Sequence, residues 1–332
     1  MYRPCLPRRH FLQRAAGLGA FLALGADMAQ AQAAPRALHI FCTGPAGSIP
    51  DLIARRVAVQ LASAYPAGVV VDNRPGAAGR IAVNALMQAP ADGSALLLAQ
   101  GAVATVYPYL FTKPGYDPAA DLRPLTLAAE ATLGLALGPA VPPEVRDVTG
   151  LLAWMRRHPA LANYGSPGTG TLPHLLGAAL FGGAQLDCQH VAYPGGPPAL
   201  AALMGGQLSS LILPEGLLRE PHAAGKLRVI ATSGVNRSAY LPQVPSFAEQ
   251  GYKELVMREW FAFFMPGRTP AAVLEDTSSV VQAAVRSPQV GASLAAAGMT
   301  AVASTPRALA DQIAIEQGEW QRSLRASGIK VD

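Results

Sequence analysis

Between residues 163 and 174 the chain reads NYGSPGTGTLPH, in which three glycines alternate with Ser166, Thr169 and Thr171 before an apolar run. Glycines let a loop turn its main-chain N–H groups inward, and a helix that starts after the loop adds free N–H groups and the positive end of its dipole. Such a loop suits an anion. The lysine that completes a nucleotide-binding P-loop is missing, because a Leu-Pro pair follows the last threonine. These residues therefore favour a carboxylate.

Two further loops have the same glycine-rich character. They read TGPAGSIPD (43–51) and AYPGGPPAL (192–200), and each stands between an apolar segment and a helical one. We expect all three loops to turn N–H groups toward a small ligand. Helix capping is the structural alternative for the hydroxyl residues of 166–171, and both roles can coexist. Asp51 is interpreted as the cap and dipole partner of the helix that begins beside it.

Catalytic chemistry has little support in the sequence. A hydrolase needs a serine, a histidine and an acid within reach of one another. Ser166 and His174 lie eight residues apart, but the serine stands in GSPG rather than in the G-x-S-x-G turn that exposes a nucleophile. The six histidines show no metal-ligand spacing. We predict no catalytic residue, no metal site and no cofactor.

The segments that carry the loops alternate between strand and helix patterns. Strands are predicted at 37–42, 68–73, 94–100, 161–165, 187–193, 208–214 and 226–234. Helices are predicted at 50–65, 79–89, 149–158, 171–184 and 197–206, with three more at 269–287, 288–298 and 306–328. This alternation indicates an α/β fold with parallel strands and helices on both faces.

Two more apolar strands, 132–138 and 260–266, separate these sets. If both cross between lobes, residues 35–134 and 257–332 form lobe 1 and residues 135–256 form lobe 2. The result is a clamshell with two hinge crossings and a ligand cleft at the carboxyl ends of the strands. Trp260 and the phenylalanines that follow it are interpreted as core of the second hinge strand.

The first residues predict export. Basic residues precede an apolar stretch from about 15 to 26, and small residues follow up to a cleavage site near Ala31 or Ala33. We predict that residues 1–33 are a signal peptide and that the mature protein is periplasmic. Arg8 and Arg9 favour the twin-arginine route, and a Sec signal with two arginines in its basic region is the alternative.

The composition limits the choice of partners. The chain is 14% charged and 6% aromatic, which argues against a nucleic-acid binder. Removing residues 1–33 lowers the formal charge from +5 to about +2, so no strongly charged partner is implied. Cys42 and Cys188 remain in the mature chain, and we expect two separate buried thiols. We expect a monomer.

Several longer blocks resemble the Bug family, the TctC-type solute-binding proteins of tripartite tricarboxylate transporters. The resemblance covers roughly residues 37–330, and DNRPGAAG (72–79) and NYGSPGTGT (163–171) are its most specific motifs. Other blocks that carry it are PAGSIPDLIARRVA (45–58), HVAYPGGPPALAALMGGQL (190–208) and FAFFMPGRTP (261–270).

The resemblance implies a two-lobed periplasmic-binding fold of type II, a Venus flytrap, that closes on a small carboxylic acid. It assigns one end of the ligand to Thr43, Ala46, Gly47 and Ser48. It assigns the carboxylate to Ser166, Gly168, Thr169, Gly170 and Thr171. Further contacts fall to Tyr193 and Gly195, for which packing beneath the loop is the alternative, and to Gln100, Gly101 and Ala102. The implied partners are the membrane subunits of such a transporter, or alternatively a membrane signalling receptor.

The chain departs from the family pattern near the ligand. Ser48 and Pro50 replace a glycine and a threonine, and Leu213 stands where the family often has an aspartate that meets an amine. Glu215 comes two residues later. These departures favour a plain carboxylic acid over an amino acid. The DNRPGAAG motif is interpreted as a turn that supports its lobe, from which Arg74 could still reach the cleft.

Overall fold

A computed structural model describes residues 37–327 and residue 330. The predicted signal peptide, residues 1–33, lies outside the described residues. Ten strands of the described residues form one mixed sheet. In chain order they are β1 (Leu38–Cys42), β2 (Val69–Asn73), β3 (Ala95–Gln100), β4 (Leu122–Leu137), β5 (Asn163–Ser166), β6 (Gln189–Ala192), β7 (Ser210–Pro214), β8 (Arg228–Thr232), β9 (Arg258–Pro266) and β10 (Thr300–Ala301). They lie in the order β2-β1-β3-β9-β4-β7-β5-β6, and β8 and β10 each pair with β4. Helices alternate with most of these strands, so the predicted α/β class is confirmed.

The first set of elements is parallel and follows the prediction closely. Strand β1 (Leu38–Cys42) lies between β2 (Val69–Asn73) and β3 (Ala95–Gln100). Helices α1 (Ile49–Leu61) and α2 (Arg80–Gln88) connect them. Helix α1 buries Ile49, Ile53, Val57 and Leu61, spaced four residues apart on one face. It ends four residues before its predicted end because the chain turns there, with the Ala64 N–H donating to the Leu61 carbonyl (3.0 Å).

The longest strand, β4 (Leu122–Leu137), starts ten residues before the predicted strand. Three short helices precede it, α3 (Ala102–Thr105), α4 (Tyr107–Leu110) and α5 (Pro118–Asp121). Its first part pairs with β9 (Arg258–Pro266), and its last part pairs with β7 (Ser210–Pro214) and β8 (Arg228–Thr232). Strand β4 therefore runs from one group of strands into the other, whereas β9 pairs only with β3 and β4.

The second group repeats the strand–helix alternation. Its helices are α6 (Val148–Arg157), α7 (Leu172–Gly183), α8 (Gly196–Met204) and α9 (Glu215–Ala223), and its remaining strands are β5 (Asn163–Ser166) and β6 (Gln189–Ala192). Helix α9 was not predicted from the sequence. The chain ends with α10 (Ala271–Val285), α11 (Pro288–Ala296), the two-residue strand β10 (Thr300–Ala301) and α12 (Pro306–Ser327). The lobe boundaries at 134/135 and 256/257 stay a prediction.

The core lies on both faces of the sheet. In β3, Leu97 and Ala99 join one apolar cluster while Leu96 and Leu98 join another, as expected for side chains that alternate between faces. The same split divides β9, whose Trp260 packs with the first cluster and whose Phe261 packs with the second. Burial on both faces explains why these strands read as nearly continuous apolar runs.

Two smaller findings complete the fold. Cys42 and Cys188 are free thiols, and Cys188 is half-buried rather than buried as expected. Among the described helices, none combines the length and the apolar character needed to span a bilayer.

Candidate functional site

A cavity of about 410 Å³ lies where the glycine-rich loops meet. Its walls come from the first loop (43–50), the turn at 75–80, the second loop (167–171), the third loop (193–196) and the end of β7 with the start of α9. Strand β9 contributes Glu259 and Phe261. Most of these segments follow the carboxyl ends of strands, which is where α/β sheets bind ligands.

Four helices begin at this cavity. The lining includes residues at the starts of α1, α2, α7 and α8, namely Ser48 and Ile49, Gly79 and Arg80, Thr171, and Gly195 and Gly196. In each of these helices the N-cap residue makes no side-chain capping bond. Free N–H groups and the positive ends of four helix dipoles therefore surround one space, which favours an anion.

The second loop presents Thr169 directly to the cavity. Neither its N–H nor its hydroxyl is bonded to any residue that the structure describes. Thr171 also lines the cavity, and its hydroxyl donates to the Gly168 carbonyl (2.7 Å) instead of capping α7. The side chain of Thr171 therefore does not cap α7, which was the structural alternative to ligand contact.

Ser166 and Gly170 were predicted to contact the ligand, but both lie behind the cavity wall. Ser166 is fully buried, and its Oγ lies 2.7 Å from the His190 Nε2 and 3.1 Å from the Gly168 carbonyl. Gly170 packs against Leu110 and Phe111, which a Cβ at this position would meet at 2.9 Å. The two residues shape the loop instead of lining the space.

The buried Ser166–His190 pair does not form a catalytic arrangement. Ser166 does not line the cavity, so a bound molecule is out of reach of its hydroxyl. Burial, with His174 as a second cause, lowers the pKa of His190 to about 3. The Gly170 N–H donates to the Nδ1 of His174, whose pKa burial lowers to about 4. Both rings are therefore neutral supports for the loop at pH 7.

In the first loop, Thr43 and Ser48 line the cavity and Ala46 and Gly47 do not. Ala46 and Gly47 are exposed on the outer side of the loop. The Thr43 hydroxyl donates to the Gln100 Oε1 (2.7 Å), and the Ser48 hydroxyl donates to the Pro45 carbonyl (2.6 Å). Both hydroxyl hydrogens are thus used in internal hydrogen bonds, and the two hydroxyl oxygens can still accept a hydrogen bond from a ligand.

Asp51 holds the first loop from behind. It accepts hydrogen bonds from the Gly47 N–H, from Arg55 and from Asn73, and Asn73 also donates to the Gly44 carbonyl. Burial alone would raise the pKa of Asp51, but these hydrogen bonds and the Arg55 charge lower it overall. Asp51 therefore supports the start of α1, in agreement with its interpretation from the sequence.

The DNRPGAAG motif both supports and lines the cavity. Its turn contains Ala77 and Ala78 at φ +46° and +56°, a left-handed conformation that costs free energy for residues with a Cβ. Gln100 and Tyr107 fix the turn by donating to the Ala78 carbonyl at 2.8 and 3.0 Å. Arg74 does not line the cavity, because it forms an exposed ion pair with Asp72.

Arg80 was not predicted as a site residue, yet it lines the cavity at the start of α2. Its guanidinium group lies 4.0 Å from the centre of the Phe111 ring, and its Nη1 donates to the Lys113 carbonyl. An arginine directly after a glycine turn and at a helix start was the signal available in the sequence.

The third loop brings Tyr193 and Gly195 to the cavity. Gly195 has φ +108°, and a Cβ there would meet the Pro45 ring at 2.7 Å, so this position requires glycine where the first and third loops touch. Gln100 lines the same cavity, whereas Gly101 and Ala102 line a second cavity of about 1060 Å³ beside Trp260. Of the predicted wall 100–102, only Gln100 borders the first cavity, and its contact with a ligand stays a prediction.

The charged side chains that line the first cavity, within the part of the chain the structure describes, are Arg80 and Glu259. Leu213 also lines it, at the position where an aspartate would be able to meet an amine. Glu215 does not line it, and instead accepts a hydrogen bond from the Ser238 hydroxyl (2.7 Å). Burial raises the pKa of Glu215 to about 7, and burial raises that of Glu259 to about 8.

Glu259 is a lining residue that the sequence did not reveal, because it directly precedes the apolar run predicted as hinge-strand core. Within residues 37–327 and 330, no group of three or more His, Cys, Asp or Glu side chains is placed to hold a metal ion.

A cavity walled by glycine-rich loops and helix starts at the ends of an α/β sheet is the kind of site in which a solute-binding protein holds its ligand. The chain belongs to the family of tripartite tricarboxylate transporter family receptors, TctC, whose model matches residues 53–329. Members of this family and the similar solved structures are periplasmic solute-binding proteins, not enzymes. The two-lobed periplasmic-binding fold expected from the sequence is therefore confirmed.

Similar proteins cover nearly the whole chain. The protein BugT of Bordetella pertussis is 30% identical over 89% of this chain and 90% of its own length. A solved periplasmic transporter is 28% identical, covers 90% of this chain and all of its own, and superposes with a TM-score of 0.83. An R. palustris protein solved with adipate is 25% identical, covers 89% of this chain and 98% of its own, and also has a TM-score of 0.83.

Proposed function

We propose that this protein captures a small carboxylic acid in the cavity described above and delivers it to the membrane subunits of a tripartite tricarboxylate-type transporter. In this proposal residues 1–33 direct export. Residues 35–134 with 257–332 form one lobe, residues 135–256 form the other, and the ligand joins them. Binding then selects the closed population of the protein, which the membrane subunits recognise.

The observation that carries the proposal is the convergence of four helix starts on one space. Helix N-termini stabilise an anion through unsatisfied N–H groups and the helix dipole. Here none of the four N-cap residues makes a capping bond, and prolines in the first turns of α1, α7 and α8 leave the remaining N–H groups as donors. Arg80 adds a positive charge to the lining. The similar R. palustris protein solved with adipate supports a carboxylate as the anion.

Within this proposal the ligand contacts come from the predicted residues that line the cavity. These are Thr43, Ser48, Gln100, Gly168, Thr169, Thr171, Tyr193 and Gly195. The other predicted residues act from behind the wall or in the neighbouring cavity. They are Ala46, Gly47, Gly101, Ala102, Ser166 and Gly170.

The lining also supports a plain carboxylic acid over an amino acid. Leu213 offers no charge to an ammonium group, and Glu215 is buried outside the lining with a hydrogen bond to Ser238. Of the two acids near the cavity, only Glu259 could meet an amine, and burial raises its pKa so that it is mainly uncharged at pH 7.

The test is a thermal-shift screen of the exported protein, purified from the periplasm, against mono-, di- and tricarboxylates, aromatic acids, amino acids and sugars. A ligand that binds only the folded state raises the melting temperature by mass action. We expect shifts confined to carboxylic acids without an amine. Shifts with sugars or amino acids alone would contradict the proposal, and mass spectrometry of the denatured protein identifies any acid retained through purification.

A further inference from the structure

Glu259 combines deep burial with a position on the cavity wall. It is the second residue of β9 and is 6% exposed. Alternate residues of a strand share a face, so Glu259 lies on the same face as Phe261, which also lines the cavity. Trp260 lies on the opposite face, where its indole N–H donates to Glu316 (2.9 Å).

The carboxyl group of Glu259 has no hydrogen bond and no ion pair with any of the residues 37–327 and 330. The neighbouring Arg258 is engaged elsewhere, in an ion pair with Glu130. The Glu259 oxygens keep some accessible surface, unlike fully buried atoms without a partner such as Glu215 Oε2, so the carboxyl group is open to a hydrogen bond from a ligand or water. Glu259 lines the same cavity as four helix starts and Arg80, which together make that space attractive to an anion.

The charge of Glu259 follows from its surroundings. Burial raises its pKa to about 8, so most molecules carry the neutral acid at pH 7. Arg80 and Tyr193 share the cavity with Glu259. Tyr107 lies near it, and burial, with the Glu259 charge as a smaller cause, raises the pKa of Tyr107. Glu259 also borders the second cavity, whose other ionisable groups are Glu130, Glu254, Arg258, Glu316 and Glu319. A neutral carboxyl group can donate through its O–H, which an ionised one cannot.

We propose that Glu259 is a specificity-determining residue that contacts the ligand as an uncharged acid and donates its O–H to an acceptor oxygen on the end of the ligand remote from the second loop. The proposal rests on the proposed function, because that end is defined by a carboxylate held at residues 168–171. The site then selects acids with a second carboxylate, since an O–H donor and a carboxylate form a short, strong hydrogen bond. A ligand with an ammonium group at that end can use only the carbonyl oxygen of the neutral acid and gains no ion pair.

This role ties binding to the proton on Glu259. An anionic ligand and an ionised Glu259 repel one another in a space with few other charges, so binding requires the protonated form. With a pKa of about 8, the protonated fraction falls roughly tenfold between pH 7 and pH 9. The dissociation constant of a dicarboxylate is expected to rise about tenfold over the same range.

The experiment is isothermal titration calorimetry with three probes of one length, adipate, 6-aminohexanoate and hexanoate, at pH 7 and pH 9. The variants are Glu259→Gln, which keeps an uncharged donor, and Glu259→Leu, which removes it. Glu316→Gln is the matched control, because it changes a half-buried acid that lies beside β9 but borders only the second cavity. Thermal melting of each variant without ligand establishes that it folds. If another acid from the screen binds and adipate does not, that acid is titrated instead.

Support requires three results together. The wild-type protein and Glu316→Gln bind the dicarboxylate more tightly than the other probes and lose about tenfold affinity at pH 9. Glu259→Gln binds it with similar affinity at both pH values. Glu259→Leu loses about 10- to 100-fold, the range of a hydrogen bond to a charged group.

Two results would overturn the proposal while leaving the capture of a carboxylic acid intact, although the second would also remove the expected preference for acids without an amine. One is equal affinity for the dicarboxylate in the wild-type protein and in Glu259→Leu. The other is tighter binding of 6-aminohexanoate than of adipate, lost in Glu259→Gln, which would make Glu259 an anion that meets an amine. If no carboxylic acid binds the wild-type protein, the proposed function itself fails, and this inference fails with it.

Discussion

Thr169 offers the cavity two hydrogen-bond donors, its N–H and its hydroxyl, that have no partner among the described residues. A bound carboxylate can accept both. We expect Thr169→Ala to weaken carboxylate binding about tenfold, the lower range for a hydrogen bond to a charged group, because only the hydroxyl is lost. Stability is expected to stay unchanged, since the hydroxyl makes no internal bond. Titration calorimetry checks the affinity, and Thr169→Ser, which keeps the hydroxyl, should bind like the wild type.

Thr171 illustrates a different role two residues later. Its buried hydroxyl donates to the Gly168 carbonyl and so fixes the shape of the loop. We expect Thr171→Ala to weaken binding and also to lower the free energy of unfolding by about 1 kcal/mol, the net value of a typical hydrogen bond. Urea denaturation measures the second effect. Unchanged stability would mean that the hydroxyl serves the ligand alone, and an unchanged dissociation constant would remove Thr171 from the site.

At the scale of elements, the turn at 76–79 stores backbone strain beside the cavity. Ala78 adopts φ +56° and is fixed there by bonds from Gln100 and Tyr107 to its carbonyl. Glycine adopts this conformation without the Cβ clash, although it adds disorder to the unfolded chain. We expect Ala78→Gly to raise the free energy of unfolding by up to about 1 kcal/mol. Ala310→Gly, in the exposed face of α12, should lower it by about 1 kcal/mol. Urea denaturation compares the two, and a loss for Ala78→Gly would show that the turn is unstrained.

The elements that escaped prediction share a physical cause. Strand β4 begins at Leu122, but its first ten residues contain Arg123, Pro124 and Glu130, which interrupt an apolar run. The strand exists because β9 pairs along it, a long-range contact that local sequence does not encode. Helix α9 contains Gly216 and Pro221, both poor helix formers, and it packs against β4 and α8. Elements with regular periodicity, such as α1 and α6, were predicted to within a few residues.

At the scale of the whole molecule, the cavity residues that lie in glycine-rich loops could be predicted from the sequence. Those that reach the cavity through strand packing could not. The three glycine-rich loops meet at one cavity, as their strand-to-helix positions indicated. Glu259 joins them only because β9 lies between β3 and β4, an arrangement set by pairing of residues far apart in the chain. Ser166 and Gly170 belong to the NYGSPGTGT motif but do not line the cavity. A loop has an inner and an outer side, and its composition does not distinguish them.

Burial of acids across the whole fold gives stability an unusual dependence on pH. Burial raises the pKa of Glu215 to about 7 and of Glu259 to about 8, so the folded state holds protons that the unfolded state has released above pH 4.5. Each raised carboxyl pKa therefore contributes stability that is complete below its unfolded value and is lost as pH rises through its folded value. His174 and His190 act in the opposite sense, because their lowered pKa values cost stability as pH falls below about 6.5.

Above pH 6.5 the two histidines regain only the remainder of their contribution, about 1 kcal/mol together, while the acids lose theirs and the raised pKa values of Cys42 and Cys188 add a smaller loss near pH 9. We expect the free energy of unfolding of the ligand-free protein to fall by about 2–3 kcal/mol between pH 6.5 and pH 9. Glu259→Gln should remove most of that slope, because its pKa of about 8 lies inside the window, and Glu215→Gln should remove a smaller part. Urea denaturation at half-unit pH intervals measures the slopes. A wild-type stability that stays level or rises over this range would mean that Glu259 is already ionised in the folded protein, and the O–H donor proposed for the ligand would then be absent.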